Sequence, residues 1–169
     1  MANENTTYIN YLIDMSQSGR QRGFLELCEI NMRNVFTVVY RLLGDIKAAK
    51  KITVKTFLTA WGEIKEFPRH KPFLQWIKGI AINFAMDELE EADKNRNTKL
   101  SAPTDTDEVE FLGYQIKQLP LLEKTVFILH DLEGYSYSEI QTFFPNLIED
   151  ELKTILIQTR QQLISKLNL

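Results

Sequence analysis

The sequence predicts an all-α chain of two small helical domains joined by a linker, the second containing a helix-turn-helix. Three observations carry that expectation. Apolar residues recur at three- and four-residue steps almost everywhere, no segment alternates with period two for long enough to form a strand, and residues 93–106 turn polar and include a proline. A length of 169 residues suits one domain or two small ones, since domains typically run to about 100–150 residues. The expected division is 1–92, 93–106 for the linker, and 107–169.

In the first domain Phe24, Leu27, Cys28, Ile30, Val35, Val38, Val39 and Leu42 make one helical stripe, and Gly44 stops it. Asp45 is placed to cap the next helix, whose stripe is Ala48, Ile52, Phe57, Leu58 and Trp61. Pro68 and Pro72 then disfavour helix and make Phe67-Pro68-Arg69-His70-Lys71-Pro72 a loop. Phe73, Trp76, Ile77, Ile80, Ala81, Phe84, Ala85 and Leu89 form a third stripe. In the second domain a short helix is expected over 109–118. Pro120 opens another that carries Val126, Phe127, Leu129 and Leu132 and ends at Gly134. Ser136 and Glu139 have the spacing of a capping box for a short helix closed by Phe143-Phe144-Pro145-Asn146, and a last helix is expected over about 148–166.

Composition excludes several functions. A single Cys28 forms no internal disulfide, and two His with one Cys fall short of the usual four ligands of a structural zinc site, so no metal is expected. His70 and His130 lie in different domains, and no phosphate-cradling glycine loop or nucleophile elbow is present. The chain is therefore expected not to be an enzyme, with no catalytic residues and no cofactor. No apolar run approaches the ~18–20 residues of a membrane helix, and residues 1–19 lack a basic start and an apolar core, so a cytoplasmic protein without membrane insertion is expected. The net charge of −3 divides unevenly: residues 1–103 hold 15 Lys and Arg against 12 Asp and Glu, and residues 104–169 hold 5 against 11. An acidic second half runs against a role that depends on neutralising phosphates.

A short capped helix, a turn and a longer terminal helix after a helix ending in Glu-Gly is the layout of a helix-turn-helix. Leu119-Pro120, Val126-Phe127, Leu129, then Glu133-Gly134-Tyr135-Ser136-Tyr137, Glu139 and Ile140 resemble the fourth domain of bacterial RNA polymerase sigma factors. In the first half Arg41-Leu42-Leu43-Gly44-Asp45, Thr56-Phe57-Leu58, Ala60-Trp61, Phe73, Trp76-Ile77, Ile80-Ala81, Asn83, Ala85, Asp87 and Leu89 resemble the second sigma domain, in the family's order. The resemblance covers about residues 24–167 and is to the two-domain extracytoplasmic-function sigma factors.

That resemblance implies a protein that binds core RNA polymerase and promoter DNA, gives promoter recognition in transcription initiation, and has an anti-sigma factor as a further partner. It places the minus-ten element against Arg69, His70, Lys71, Trp76, Lys78 and Asn83, although a tryptophan on an apolar stripe, as Trp76 is, is more often core than platform. It places the minus-thirty-five duplex against Ser136, Lys153, Thr154, Gln158 and Arg160, and core polymerase against Asp45, Lys50, Lys51 and Lys55. Three segments depart from the family. Lys47, Lys50, Lys51 and Lys55 stand where it carries acids, whereas Asp87, Glu88, Glu90 and Glu91 stand where it carries arginines. Glu149, Asp150 and Glu151 open the terminal helix where it has small or hydroxyl residues. The basic surface for DNA is thereby weakened, and the rival expectation is a sigma-like interaction module, a decoy or adaptor for an anti-sigma factor, that has lost promoter binding.

Overall fold

Helical structure starts earlier than the first apolar stripe suggests. The computed structural model describes residues 2–94 and 108–166, so most of the segment expected as a linker lies outside the described residues. Helix α1 (Ala2–Gln17) meets α2 (Gln21–Leu43) across a tight turn in which Gly19 takes a φ of +81°. Leu12, Ile13 and Ser16 of α1 are buried. The two helices approach closely at Gly23, where a Cβ would stand 2.7 Å from Met15 Cβ and 2.9 Å from the Leu12 carbonyl oxygen.

α2 ends as expected at Gly44, with φ +70° and its N–H donating to the Tyr40 carbonyl. Asp45 then caps α3 (Ile46–Glu63) by accepting from the Ala48 N–H at 2.7 Å. Val35, Val38, Val39 and Leu42 of α2 and Ala49, Ile52, Phe57 and Ala60 of α3 are buried. Of the two expected stripes, Cys28, Ala48 and Trp61 are half-buried, and Ile30 and Leu58 are exposed, at 45% and 69%. An apolar stripe on a helix can be wider than the line along which it meets its neighbour, and its margins then face water. A 3-10 turn, Ile64–Glu66, leads into the proline-bounded loop, after which α4 (Phe73–Lys94) buries Phe73, Ile77, Ala81, Ile82 and Ala85.

The chain forms two compact units, Met1–Glu90 and Glu91–Leu169. In the second, α5 (Glu108–Gln118) is followed by α6 (Leu121–Phe127), which runs on as a π-helical turn, Ile128–Leu132. Gly134, at φ +74°, reverses the chain. Ser136 and Glu139 make the expected capping box at the start of α7 (Tyr137–Gln141), and α8 (Glu149–Lys166) follows. Val126, Ile128, Leu129, Ile140, Leu152, Leu156 and Leu163 form the core that holds α6, α7 and α8 together. Among the described residues there is no strand, and no described helix is long and apolar enough to cross a membrane.

The close approach at Gly23 makes it the position least tolerant of a methyl group. Gly23→Ala is expected to lower unfolding free energy by about 1–3 kcal/mol through overpacking. Gly79→Ala, in mid-helix with nothing within 4 Å of its Cβ position, is expected to raise it by about 0.5–1 kcal/mol. Urea unfolding of the two variants measures both; a neutral Gly23→Ala would contradict the packing described.

Candidate functional site

The loop between α3 and α4 is held from one side by α1. Arg69 donates to the Asp14 carboxylate at 2.5 Å and to the Gln17 side-chain oxygen, and Gln17 donates in turn to the Ile64 carbonyl at 2.9 Å. The loop's first expected cation is thus spent on fixing the loop. His70 and Lys71 stand exposed beside it.

Behind the loop three rings pack edge to face or tilted. The Trp76 centroid lies 5.1 Å from that of Phe67 and 5.6 Å from that of Phe73, and Phe67 and Phe73 are buried. Trp76 itself is half-buried, so it anchors a core cluster and also presents part of its indole to solvent. Asn83 is exposed seven residues on, two turns along the same face of α4. Between them lies Gly79, with open space over its Cα. A base laid on this strip would meet an aromatic edge, a flat backbone and an amide. The sequence reading passes over Gly79, whose only signal is a glycine inside a helical pattern. Lys78 is not brought to this strip; helical rotation puts it about 200° from Trp76, beside buried Ala81, Ile82 and Ala85, and its side chain is half-buried.

On α3 the four expected interface residues have separate tasks. Asp45 is the helix cap, Lys51 bridges to Glu88 of α4 at 3.4 Å, and the Lys55 amine sits 3.9 Å from the centre of the Phe84 ring. Lys50 is exposed at the rim of an open cavity lined by residues of α2 and α3.

In the second unit Asp131, which no sequence motif marks, organises the expected reading helix. Arg160 of α8 grips its carboxylate with two hydrogen bonds, Nε to Oδ2 at 2.8 Å and Nη2 to Oδ1 at 2.5 Å. Those bonds hold the Asp131 carboxyl below its ordinary value against the opposing effect of burial, with a further contribution from the neighbouring His130 ring. His130 stacks on Tyr137 at 4.7 Å, and Lys153 lies 5.7 Å from the other ring centre while bridging to Glu149 at 2.7 Å and Asp150 at 3.6 Å. Ser136 is committed to the α7 capping box. Thr154 donates to the Asp150 carbonyl, and Gln158 one turn on is exposed.

The acids at the start of α8 have local work as well. Glu151 accepts from the Ile148 N–H at 2.9 Å, capping the helix, and Glu149 holds Lys153. Carboxylates there are favoured by the positive end of the helix dipole. The cations expected to meet DNA and the acids expected to repel it therefore neutralise one another within the unit.

No protein-family model matches the chain. By sequence it is similar to the ECF RNA polymerase sigma factor SigW of Bacillus subtilis, 27% identical over 77 residues that make up 46% of this chain and 41% of that protein. It is also similar to the RNA polymerase sigma-H factor of Pseudomonas aeruginosa, 26% identical over 153 residues, 78% of this chain and 79% of that one. By structure it is similar to the sigma factor RpoE of Bartonella quintana, solved with the anti-sigma factor NepR, at a TM-score of 0.68 and 13% identity, covering 86% of this chain and 97% of that one. A second likeness is to CnrH, solved with the cytosolic domain of CnrY, at a TM-score of 0.68 and 18% identity, covering 95% and 97%. These two likenesses show the fold, and it extends over nearly the full length of each neighbour.

The Asp131–Arg160 pair has a pH signature. Asp131 titrates lower in the folded chain than in the unfolded one, so its contribution is present above about pH 4 and is lost as pH falls through the lower folded value. Asp131→Asn is expected to cost up to about 1 kcal/mol at pH 7, a figure limited by the solvent-open arginine, and to cost progressively less below about pH 4. Urea midpoints of wild type and variant across that range measure it; a constant gap at all pH values would contradict the assignment.

Proposed function

We propose that the chain is a divergent RNA polymerase sigma factor of the extracytoplasmic-function type, which binds core polymerase and directs it to promoters through both of its helical units. The observation that supports this reading is that one chain has both units, each resembling its own sigma domain, within a fold similar to that of the sigma factor RpoE over 86% of this chain.

In the proposed mechanism the first unit receives the unstacked strand of the minus-ten element. Trp76, Gly79 and Asn83 provide the strip for bases, and His70 and Lys71 provide the loop edge, with Arg69 holding that loop to α1. Stacking on an aromatic contributes about 1–3 kcal/mol per base, without need of a strongly basic surface. The second unit reads duplex with α8, where Thr154 and Gln158 present hydrogen-bonding groups and Arg160 is aimed by Asp131. Acids at the start of α8 accept from cytosine amino groups in the major groove. Core polymerase meets the face of α3 that bears Lys50, with Asp45, Lys51 and Lys55 fixing that helix in place. RpoE was solved with the anti-sigma factor NepR, and a partner of that kind is proposed for this chain.

The test is run-off transcription by purified core polymerase with and without the chain, on fragments of the source genome, with permanganate mapping of melted thymines. Promoter-dependent transcripts that need the chain are expected. Asn83→Ala is expected to lower open-complex formation by about tenfold, the order of a stacking or base-edge contact, while leaving helicity and polymerase binding unchanged. Absence of any chain-dependent transcript would contradict the reading.

A further inference from the structure

The hold of α1 on the loop before α4 centres on one side chain. The Gln17 amide has its donor end on the Ile64 carbonyl at 2.9 Å and its acceptor end on the Arg69 guanidinium, so both ends of the group are used and one orientation satisfies both. Three residues earlier on the same helix face, the Asp14 carboxylate accepts from the same Arg69 nitrogen at 2.5 Å. Residues 64 and 69, the start and the middle of the segment that joins α3 to α4, are thereby pinned to the end of α1.

That end of α1 is itself fixed. Leu12, Ile13 and Ser16 are buried, Ser16 Oγ donates to the Leu12 carbonyl at 2.7 Å, and Gly23 of α2 lies against Met15 and the Leu12 carbonyl. The segment it holds is short and already restrained. The Ile64 carbonyl also accepts from the Phe67 N–H at 3.3 Å, the Lys71 N–H donates to the Pro68 carbonyl at 3.1 Å, and the Trp76 N–H donates to the Pro72 carbonyl at 3.1 Å. Pro68 and Pro72 fix their own φ on either side of Arg69, His70 and Lys71. The hold of Gln17 and Asp14 is therefore carried to two places. One is the exposed pair His70 and Lys71, next to Arg69 in the chain, and the other is Phe67, whose ring centroid lies 5.1 Å from that of Trp76.

These contacts matter little to the fold. The Asp14 side chain is 63% exposed and that of Arg69 49%, and an ion pair so open to solvent adds little stability. Holding a recognition surface in register is a different demand, and supporting hydrogen bonds from a rigid element meet it. We propose that Gln17 and Asp14 are positioning residues of the minus-ten site, and that α1, through Arg69 and the Ile64 carbonyl, sets which base the loop and the Trp76 strip accept. The inference rests on the reading that the first unit receives the unstacked minus-ten strand. It extends that site to a helix lying before the residues that carry the sigma resemblance.

The probe is a set of three fluorescein-labelled single strands about 12 nucleotides long, of deoxyadenosine, deoxycytidine or deoxythymidine alone. They are bound to the full chain assembled with core polymerase, with core polymerase alone as the blank. Anisotropy gives the ratio of the weakest to the tightest Kd. That ratio is the readout, because a variant that is merely less folded weakens all three strands by the same factor. The wild-type ratio is expected to be about tenfold or more. Gln17→Met has a similar length and neither hydrogen bond, and Gln17→Glu keeps the acceptor for Arg69 but sets a carboxylate against the Ile64 carbonyl. Each is expected to bring the ratio below about threefold with helicity unchanged. Asp14→Arg is expected to do the same, and combining it with Arg69→Asp to restore most of the wild-type ratio.

A ratio that stays at the wild-type value in both Gln17 variants would overturn the inference, as would a loss in Asp14→Arg that Arg69→Asp does not relieve. So would a wild-type chain that binds the three strands equally. In each of these outcomes the strand is still bound and the proposed function stands. A chain that adds no strand binding to core polymerase would defeat the proposed function, and this inference with it.

Discussion

Cations engaged by acids of neighbouring helices set what the surfaces of both units can offer a partner. Each unit is small, and chains of this size bury a modest share of their surface, so side chains at the margins of the core must help to hold the helices in place. Arg69 binds the loop before α4 to Asp14 and Gln17 of α1, Lys51 binds α3 to Glu88 of α4, and Arg160 binds α8 to Asp131. In each case a cation that the family resemblance assigns to a partner is engaged within its own unit.

That internal neutralisation gives the acidic departures a physical meaning. Glu88, Glu149, Glu151 and Asp131 have a cation or a backbone amide within bonding distance, so these acids do not stand as bare negative charge on the surfaces proposed to meet DNA. On the proposed function, recognition would rest on shape, stacking and hydrogen bonding more than on phosphate neutralisation. The half-exposed Trp76 indole, held by Phe67 and Phe73, is the surface proposed for stacking, and the bidentate grip of Asp131 holds the Arg160 guanidinium. A pre-oriented arginine reads a base edge at less cost in side-chain order than a free one, at the expense of long-range attraction.

The helices, their stops at Gly44 and Gly134, the Asp45 cap and the Ser136–Glu139 box are legible in the sequence because each depends on residues within one or two turns. The expected site residues fare unevenly. Trp76 and Asn83 share a face because seven residues make two turns, whereas Lys78 falls on the far side by the same arithmetic. The pairs Asp14–Arg69 and Asp131–Arg160 join residues 55 and 29 positions apart, and nothing local marks them. α1 escapes notice because its buried side chains are few and its hold on α2 comes from the bare backbone at Gly23. Leu58 and Cys28 mislead for the opposite reason: they fit their helical stripes so well that periodicity reads them as core, and only packing shows that they line an open cavity.

The central claim, that the cations of the DNA-facing surfaces are engaged internally, is tested most directly by the salt dependence of promoter binding by the chain itself. The slope of log K against log salt, measured by fluorescence anisotropy on a labelled promoter duplex, reports the phosphates neutralised at about 0.9 per contact. The account predicts a slope no steeper than about −2, the yield of one or two available cations. A slope of about −5 or steeper would mean that Arg69, Lys153 and Arg160 leave their acids to meet phosphate, and would contradict it.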